Sequence, residues 1–316
     1  IAWEVESGRQ IFALLGHAGP LISIEESPDG RQLLTTSEDS TARLWDAHSG
    51  KLLLSLAGHA TQLSSAAFSP DGATVATAGR DGSARLWMPQ LRPHFRIEAH
   101  NDWVRSAAFS PVAGEPHILT ASADGTAAIW DRSTGVRLHE LQAHTQWVNS
   151  AHYSHDGKQI VTSGMDHTAR IWDAATGQLV ATLRGHKDWL RYAEFSPDGR
   201  LIVTASRDHT AGIWSAPDWH LERQLIGHTG AVTSAIFSSD GREILTASED
   251  HTARRWSVQS GQEIGRLQQH EDWVRHAVYS QSGTRVLTAS RDIAAAVVVM
   301  GPQHVLRQGL PFDRID

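Results

Sequence analysis

The chain has 316 residues, 40% of them hydrophobic and 20% charged, with 12 tryptophans and a formal net charge of -7. That is ample material for a folded core, and the negative balance without a basic block argues against a nucleic-acid groove. The absence of cysteine excludes disulfides, thiolate metal sites and a cysteine nucleophile. The longest apolar run, Ile293 to Met300, falls well short of the roughly 20 residues that a membrane helix needs.

The chain opens on Ile1-Ala2-Trp3, with no initiator methionine and no signal-peptide pattern, in sequence that already reads as the middle of a repeat. The expectation is a fragment of a larger, multidomain, cytoplasmic polypeptide, or a chain whose leader was removed. Residues 1–15 read as half a unit with two strands. A full unit then starts at Gly16-His17. It runs through a first strand, the turn Ser27-Pro28-Asp29-Gly30, a second strand carrying Thr35, a tight turn with Asp39, and a third strand ending at Trp45.

This order recurs along the chain. The tryptophan marker returns at Trp87, Trp130, Trp172, Trp214 and Trp256, at intervals of 42 or 43 residues, and Trp3 lies 42 residues before Trp45. His59, His100, His144, His186, His228 and His270 keep the same phase, as do Thr77, Thr120, Thr162, Thr204, Thr246 and Thr288. The last unit retains His270, Thr288 and Asp292 but has Val298 where tryptophan is expected. Short β-branched and aromatic runs between turn signals predict four antiparallel strands per unit. Such sheets cannot bury both faces alone, so they must stack.

The stretch Ser248-Glu249-Asp250-His251-Thr252-Ala253-Arg254-Arg255-Trp256 brings serine, aspartate and histidine together, the residue types of a hydrolase site. A device copied in every unit cannot converge on one substrate, and a fold constraint explains it better.

With histidine, threonine, aspartate and tryptophan in fixed phase, the whole chain resembles the WD-repeat β-propellers. The resemblance implies an all-β, seven-bladed propeller of four-stranded blades forming a single domain over residues 1–316. Within it, residues 1–15 would be a half blade and residues 16–268 six full blades. A last blade from residue 269 would have a degenerate end. Ring closure by the N-terminal half blade, with Trp3 completing the last unit, is preferred to closure by the C-terminal strands.

The resemblance also implies a hydrogen-bonded tetrad inside each blade. In this sequence the tetrads are His59, Thr77, Asp81 and Trp87; His144, Thr162, Asp166 and Trp172; His186, Thr204, Asp208 and Trp214; and His228, Thr246, Asp250 and Trp256. His251, like His167 and His209, follows the turn aspartate and is expected to face solvent.

With the tetrads assigned to the fold, function is expected on one rim around the channel mouth. By position in the family, that rim holds Trp103, Trp147, Trp189 and Trp273 with Arg105, Asn149, Arg191 and Arg275. The turns add Glu38, Arg80, Ala123, Met165, Arg207, Glu249 and Arg291. Tryptophan and arginine dominate interface hot spots, so this crown reads as a binding surface, against the plainer reading that the tryptophans pack on neighbouring blades. Its mixed charge favours a protein or peptide over a polyanion. The partner is expected to be another protein or another domain of the parent chain, in a scaffold or signalling role. The alternatives are a phosphopeptide or nucleic-acid reader and a channel-based enzyme.

Enzyme signals are weak. The sequence has no GxxxxGK, GxGxxG, GxSxG or HExxH. Seven of the histidines fall in separate units and cannot share one ion, so no metal or cofactor is expected. Small runs such as Ser106-Ala107-Ala108 on the inner strands predict a channel wall without an acid–base pair.

Overall fold

The computed structural model describes residues 2–3, 10–12, 14, 16–88, 93–112, 115, 117–268, 270–280 and 286–290. All regular structure among them is β-strand. Six sheets have four strands each, in sequence order. Blade 1 comprises Leu21–Glu26, Gln32–Ser37, Thr41–Asp46 and Leu52–Ala57. Blade 6 comprises Val232–Phe237, Glu243–Ser248, Ala253–Ser257 and Glu263–Leu267. Blades 2 to 5 lie between them, with inner strands Leu63–Phe68, Val104–Phe109, Val148–Tyr153 and Leu190–Phe195. A seventh sheet has two described strands, Val274–Tyr279 and Val286–Ser290. Ala2–Trp3 and Gln10–Phe12 form a separate pair. Arg291, Asp292, Val298 and the side chain of Trp3 lie outside the described residues, and so does the expected degenerate end.

The burial pattern follows from stacking. The second strand of each blade is covered on both faces, as in Glu243–Ser248, where every residue after Glu243 is buried. The outer strands expose most side chains and keep one aliphatic inside, Leu56, Leu141, Leu183 or Leu225. Blades join through apolar clusters. Val203, Ala205, Ile213 and Leu225 of blade 5 pack with Val232, Phe237, Ile244 and Trp256 of blade 6. The ring closes the same way, since Leu287 and Ala289 share a cluster with Leu14, Leu21, Ile24 and Trp45.

One irregularity is repeated in all seven inner strands. The register slips between the first and third residues, as between Val232 and Ser234 or Val274 and His276. A bulge leaves its extra residue unpaired and re-aims that side chain. The residues so placed are Ile22, Ser64, Arg105, Asn149, Arg191, Thr233 and Arg275, and every one of them borders the central channel.

Candidate functional site

The tetrads form the framework beneath the rim. In blade 6, His228 Nδ1 lies 2.7 Å from Asp250 and Nε2 2.7 Å from Thr246 Oγ1, which accepts the Trp256 indole N–H at 2.8 Å. Blades 2, 4 and 5 repeat this through His59, Thr77, Asp81 and Trp87, through His144, Thr162, Asp166 and Trp172, and through His186, Thr204, Asp208 and Trp214. Blades 1 and 3 build it from His17, Thr35, Asp39 and Trp45 and from His100, Thr120, Asp124 and Trp130. In the last sheet His270 reaches Thr288 at 2.9 Å.

Charge and proton positions in the tetrad follow from burial. Burial holds the His228 and His144 imidazoles below their usual pKa, against the opposing pull of their aspartates. A neutral ring donates from Nδ1 to the carboxylate and accepts at Nε2 from the threonine hydroxyl, whose oxygen remains free for the indole. For Asp39, burial acts to raise the pKa, but hydrogen bonds from Thr41, the Ala18 N–H and His17 prevail and bring it to about 2. All four groups are satisfied internally, and none is left to act on a substrate.

His251 is held by the turn. Its φ is +68°, a left-handed conformation also taken at the equivalent Ser40, His167 and His209, where blades 2 and 3 use Gly82 and Gly125. His251 is exposed and does not enter the tetrad. The proximity of Ser248, Asp250 and His251 in sequence therefore does not make a catalytic triad.

On the rim, the tryptophans and arginines associate. The guanidinium of Arg80 lies 4.5 Å over the Trp103 ring, Trp103 lies 5.5 Å from Trp147, and Arg207 lies 4.7 Å over Trp189. None of Trp103, Trp147, Trp189 and Trp273 belongs to the buried core, and Trp273 is 37% exposed. Between Trp147 and Trp189 runs a groove of about 540 Å³, lined by Met165, Ala123 and Gln146 among others.

Some rim residues are already engaged. Arg191 donates to Glu249 at 3.0 Å and Arg275 to Glu38 at 3.0 Å, each across a blade boundary. Asn149, expected on the binding surface, is only 7% exposed and donates its amide N–H to Leu190 O at 2.7 Å. Its bulge position turns it between blades 4 and 5, so that amide hydrogen bond joins blades. Arg291 lies outside the described residues.

The channel corrects a sequence expectation. Its cavity of about 620 Å³ is lined by Glu25, His152, Tyr192 and His276 together with the small residues. Tyr192 sits 4.6 Å from the His152 ring and 6.0 Å from the His276 ring, and donates to Glu194 at 3.2 Å. Glu25 and Glu194 each accept the inner-strand N–H of the next blade, from Phe68 and Phe237. Burial pushes Glu25 up to about 8 and Glu194 to about 7, and lowers His152 and His276 to about 4. The aligned fifth position of the inner strand carried the signal, since Glu25, His152 and Glu194 stand where Ala67 and Ala108 stand elsewhere. Among the described residues no group of three or more His, Asp or Glu is arranged to hold a metal ion.

Four-stranded blades around a channel, each pinned by a histidine–threonine–aspartate–tryptophan network, define a WD-repeat β-propeller. The chain belongs to the WD40 family, described as WD domain, G-beta repeat, with seven matches at residues 8–46, 50–88, 91–131, 135–173, 177–215, 219–257 and 261–292. It is also similar to Ribosome assembly protein 4 of Chaetomium thermophilum, 40% identical over 65 residues, which are 21% of this chain and 12% of that protein. The protein of the same name from Saccharomyces cerevisiae is 33% identical over 72 residues, 23% of this chain and 14% of that one. The chain thus matches only a small part of the length of these curated relatives.

Proposed function

We propose that this chain is a non-catalytic protein-interaction module, a seven-bladed ring that binds a protein or peptide partner on the rim of Trp103, Trp147, Trp189 and Trp273. One observation carries the reading: tryptophans in cation–π and tilted ring contacts with arginine and with each other stand outside the blade cores and, with Met165, border an open groove. Large aromatic area with polar handles is the chemistry of an interface hot spot. The role is that of a scaffold or sensor in the cytoplasm, with the partner in another protein or in another domain of the parent polypeptide. The name of the two relatives refers to ribosome assembly, but each match is shorter than two repeats, and it supports shared repeat architecture before a shared task.

Affinity capture from the source cell tests this with Trp147→Ala combined with Trp189→Ala, after checking that the variant keeps the wild-type melting temperature. Loss of a partner captured by the wild type is the expected result. An unchanged set of partners in the folded variant contradicts it.

A further inference from the structure

The bulge residue of one blade and the residue before the turn aspartate of the next form a recurring pair. In blades 5 and 6 the pair is Arg191 with Glu249, and in blades 7 and 1 it is Arg275 with Glu38, both at 3.0 Å. Blades 3 and 4 place Arg105 and Met165 at the same two positions. Arg105 has no hydrogen bond or ion pair among the described residues. Its Nε is buried, and the charges felt by its guanidinium are those of Arg191, Arg80 and Arg275. Burial, reinforced by these like charges, lowers Arg105 to about 10. Half-buried at the channel wall, with its Nε sealed from solvent and no counterion among the described residues, this cation is a candidate for a ligand contact.

The surroundings define the ligand. Arg105 lies 5.9 Å over the Trp147 ring, and Trp147 with Met165 and Trp189 lines the adjoining groove. Outside this inner cation, Asp102, Asp188 and Asp272 carry negative charge on the loops that lead into the inner strands, unfavourable to a polyanion. We infer that Arg105 takes one carboxylate from a peptide segment of the protein partner, supplying in trans what Glu249 and Glu38 supply within the ring, while an apolar neighbour in that segment enters the groove beside Met165. This inference rests on the rim-binding reading and adds the chemistry of the bound segment.

The test is selection of a displayed random-peptide library against the full chain, followed by affinity measurement on the retained peptides. Expected are peptides with a fixed acidic residue, whose conversion to the amide weakens binding on the order of thirtyfold or more. Arg105→Gln should produce a comparable loss. Met165→Glu should also abolish binding, because it places a carboxylate beside Arg105 within the chain, and it should raise the melting temperature. Peptides that need Trp147 but tolerate both Arg105→Gln and Met165→Glu would overturn the carboxylate site and leave rim binding standing. Tighter binding when phosphoserine replaces the acidic residue would overturn the carboxylate in favour of a phosphate. Absence of any Trp147-dependent peptide would contradict both readings.

Discussion

Arg275 of the seventh sheet donates to Glu38 of the first blade at 3.0 Å, across 237 residues of chain. Arg191 and Glu249 make the same contact between adjacent blades 5 and 6. The first and last parts of the chain therefore meet as ordinary neighbours in the ring, and the apolar cluster of Leu14, Leu21, Ile24, Leu287 and Ala289 lies at that junction.

We propose that the N-terminal strands complete the seventh blade, with Trp3 taking the place that Val298 cannot fill. Each family match begins ahead of the outer strand of one blade and continues into the next, and this proposal reads residues 1–15 in that frame. Trp3→Ala should then cost about 3–5 kcal/mol, as for other buried aromatic truncations. Chemical denaturation measures this, and an unchanged midpoint contradicts closure from the N-terminus.

Thr246 is the shared partner of Trp256 and His228. Thr246→Val preserves shape and leaves an indole N–H and an imidazole nitrogen buried without partners. The expected loss is about 2–4 kcal/mol, from two unsatisfied buried groups. A loss below about 0.5 kcal/mol, the scale of surface substitutions, would mean that the network contributes little to the fold.

The tetrads were legible in the sequence because four residue types keep phase at 42-residue spacing, which reveals their register, while their structural role came from the resemblance to the WD-repeat propellers. Asn149 and Arg191 occupy equivalent positions and also looked equivalent, yet one crosses to a backbone carbonyl and the other to Glu249. That difference depends on the residue before the turn aspartate of the next blade, Glu249 opposite Arg191 but Arg207 opposite Asn149, and the sequence shows these two positions in phase without showing that they meet. The channel cluster was missed for a related reason. Tyr192 meets His276 from two blades away, and local pattern does not disclose which side chains face each other across the axis.

His251 holds φ at +68°, where an L-residue carries a steric cost of about 1–2 kcal/mol that glycine avoids at an entropic cost of about 0.5–1 kcal/mol. His251→Gly should therefore raise stability by about 0.5–1 kcal/mol, and His251→Val should lower it because a β-branched residue fits this region poorly. Thermal melts of the two variants decide the matter. Equal destabilisation by both would show that the imidazole itself contributes.

Glu25 and Glu194, at about 8 and about 7, keep in the fold a proton that the unfolded chain has released above its ordinary value of 4.5. Between these values the native state binds more protons, so these two groups make stability fall as pH rises; the buried histidines, lowered from 6.5, act the opposite way near that value, so the fall is read above about 7.5, where free histidines are neutral. Glu25→Gln with Glu194→Gln should flatten that fall while retaining an acceptor for the Phe68 and Phe237 N–H groups. An unchanged slope in denaturation measured across this window would show that these carboxyls ionise without penalty.

Binding on the rim is tested most directly by position. A photoreactive amino acid placed at Gln146, on the groove beside Trp147, is compared with one at Val180, an exposed residue of an outer strand that is 51% accessible. Partner cross-linking from Gln146 and not from Val180 is the predicted result. Cross-linking from Val180 alone would place the interface on the outer wall of the propeller and contradict the assignment of the tryptophan rim.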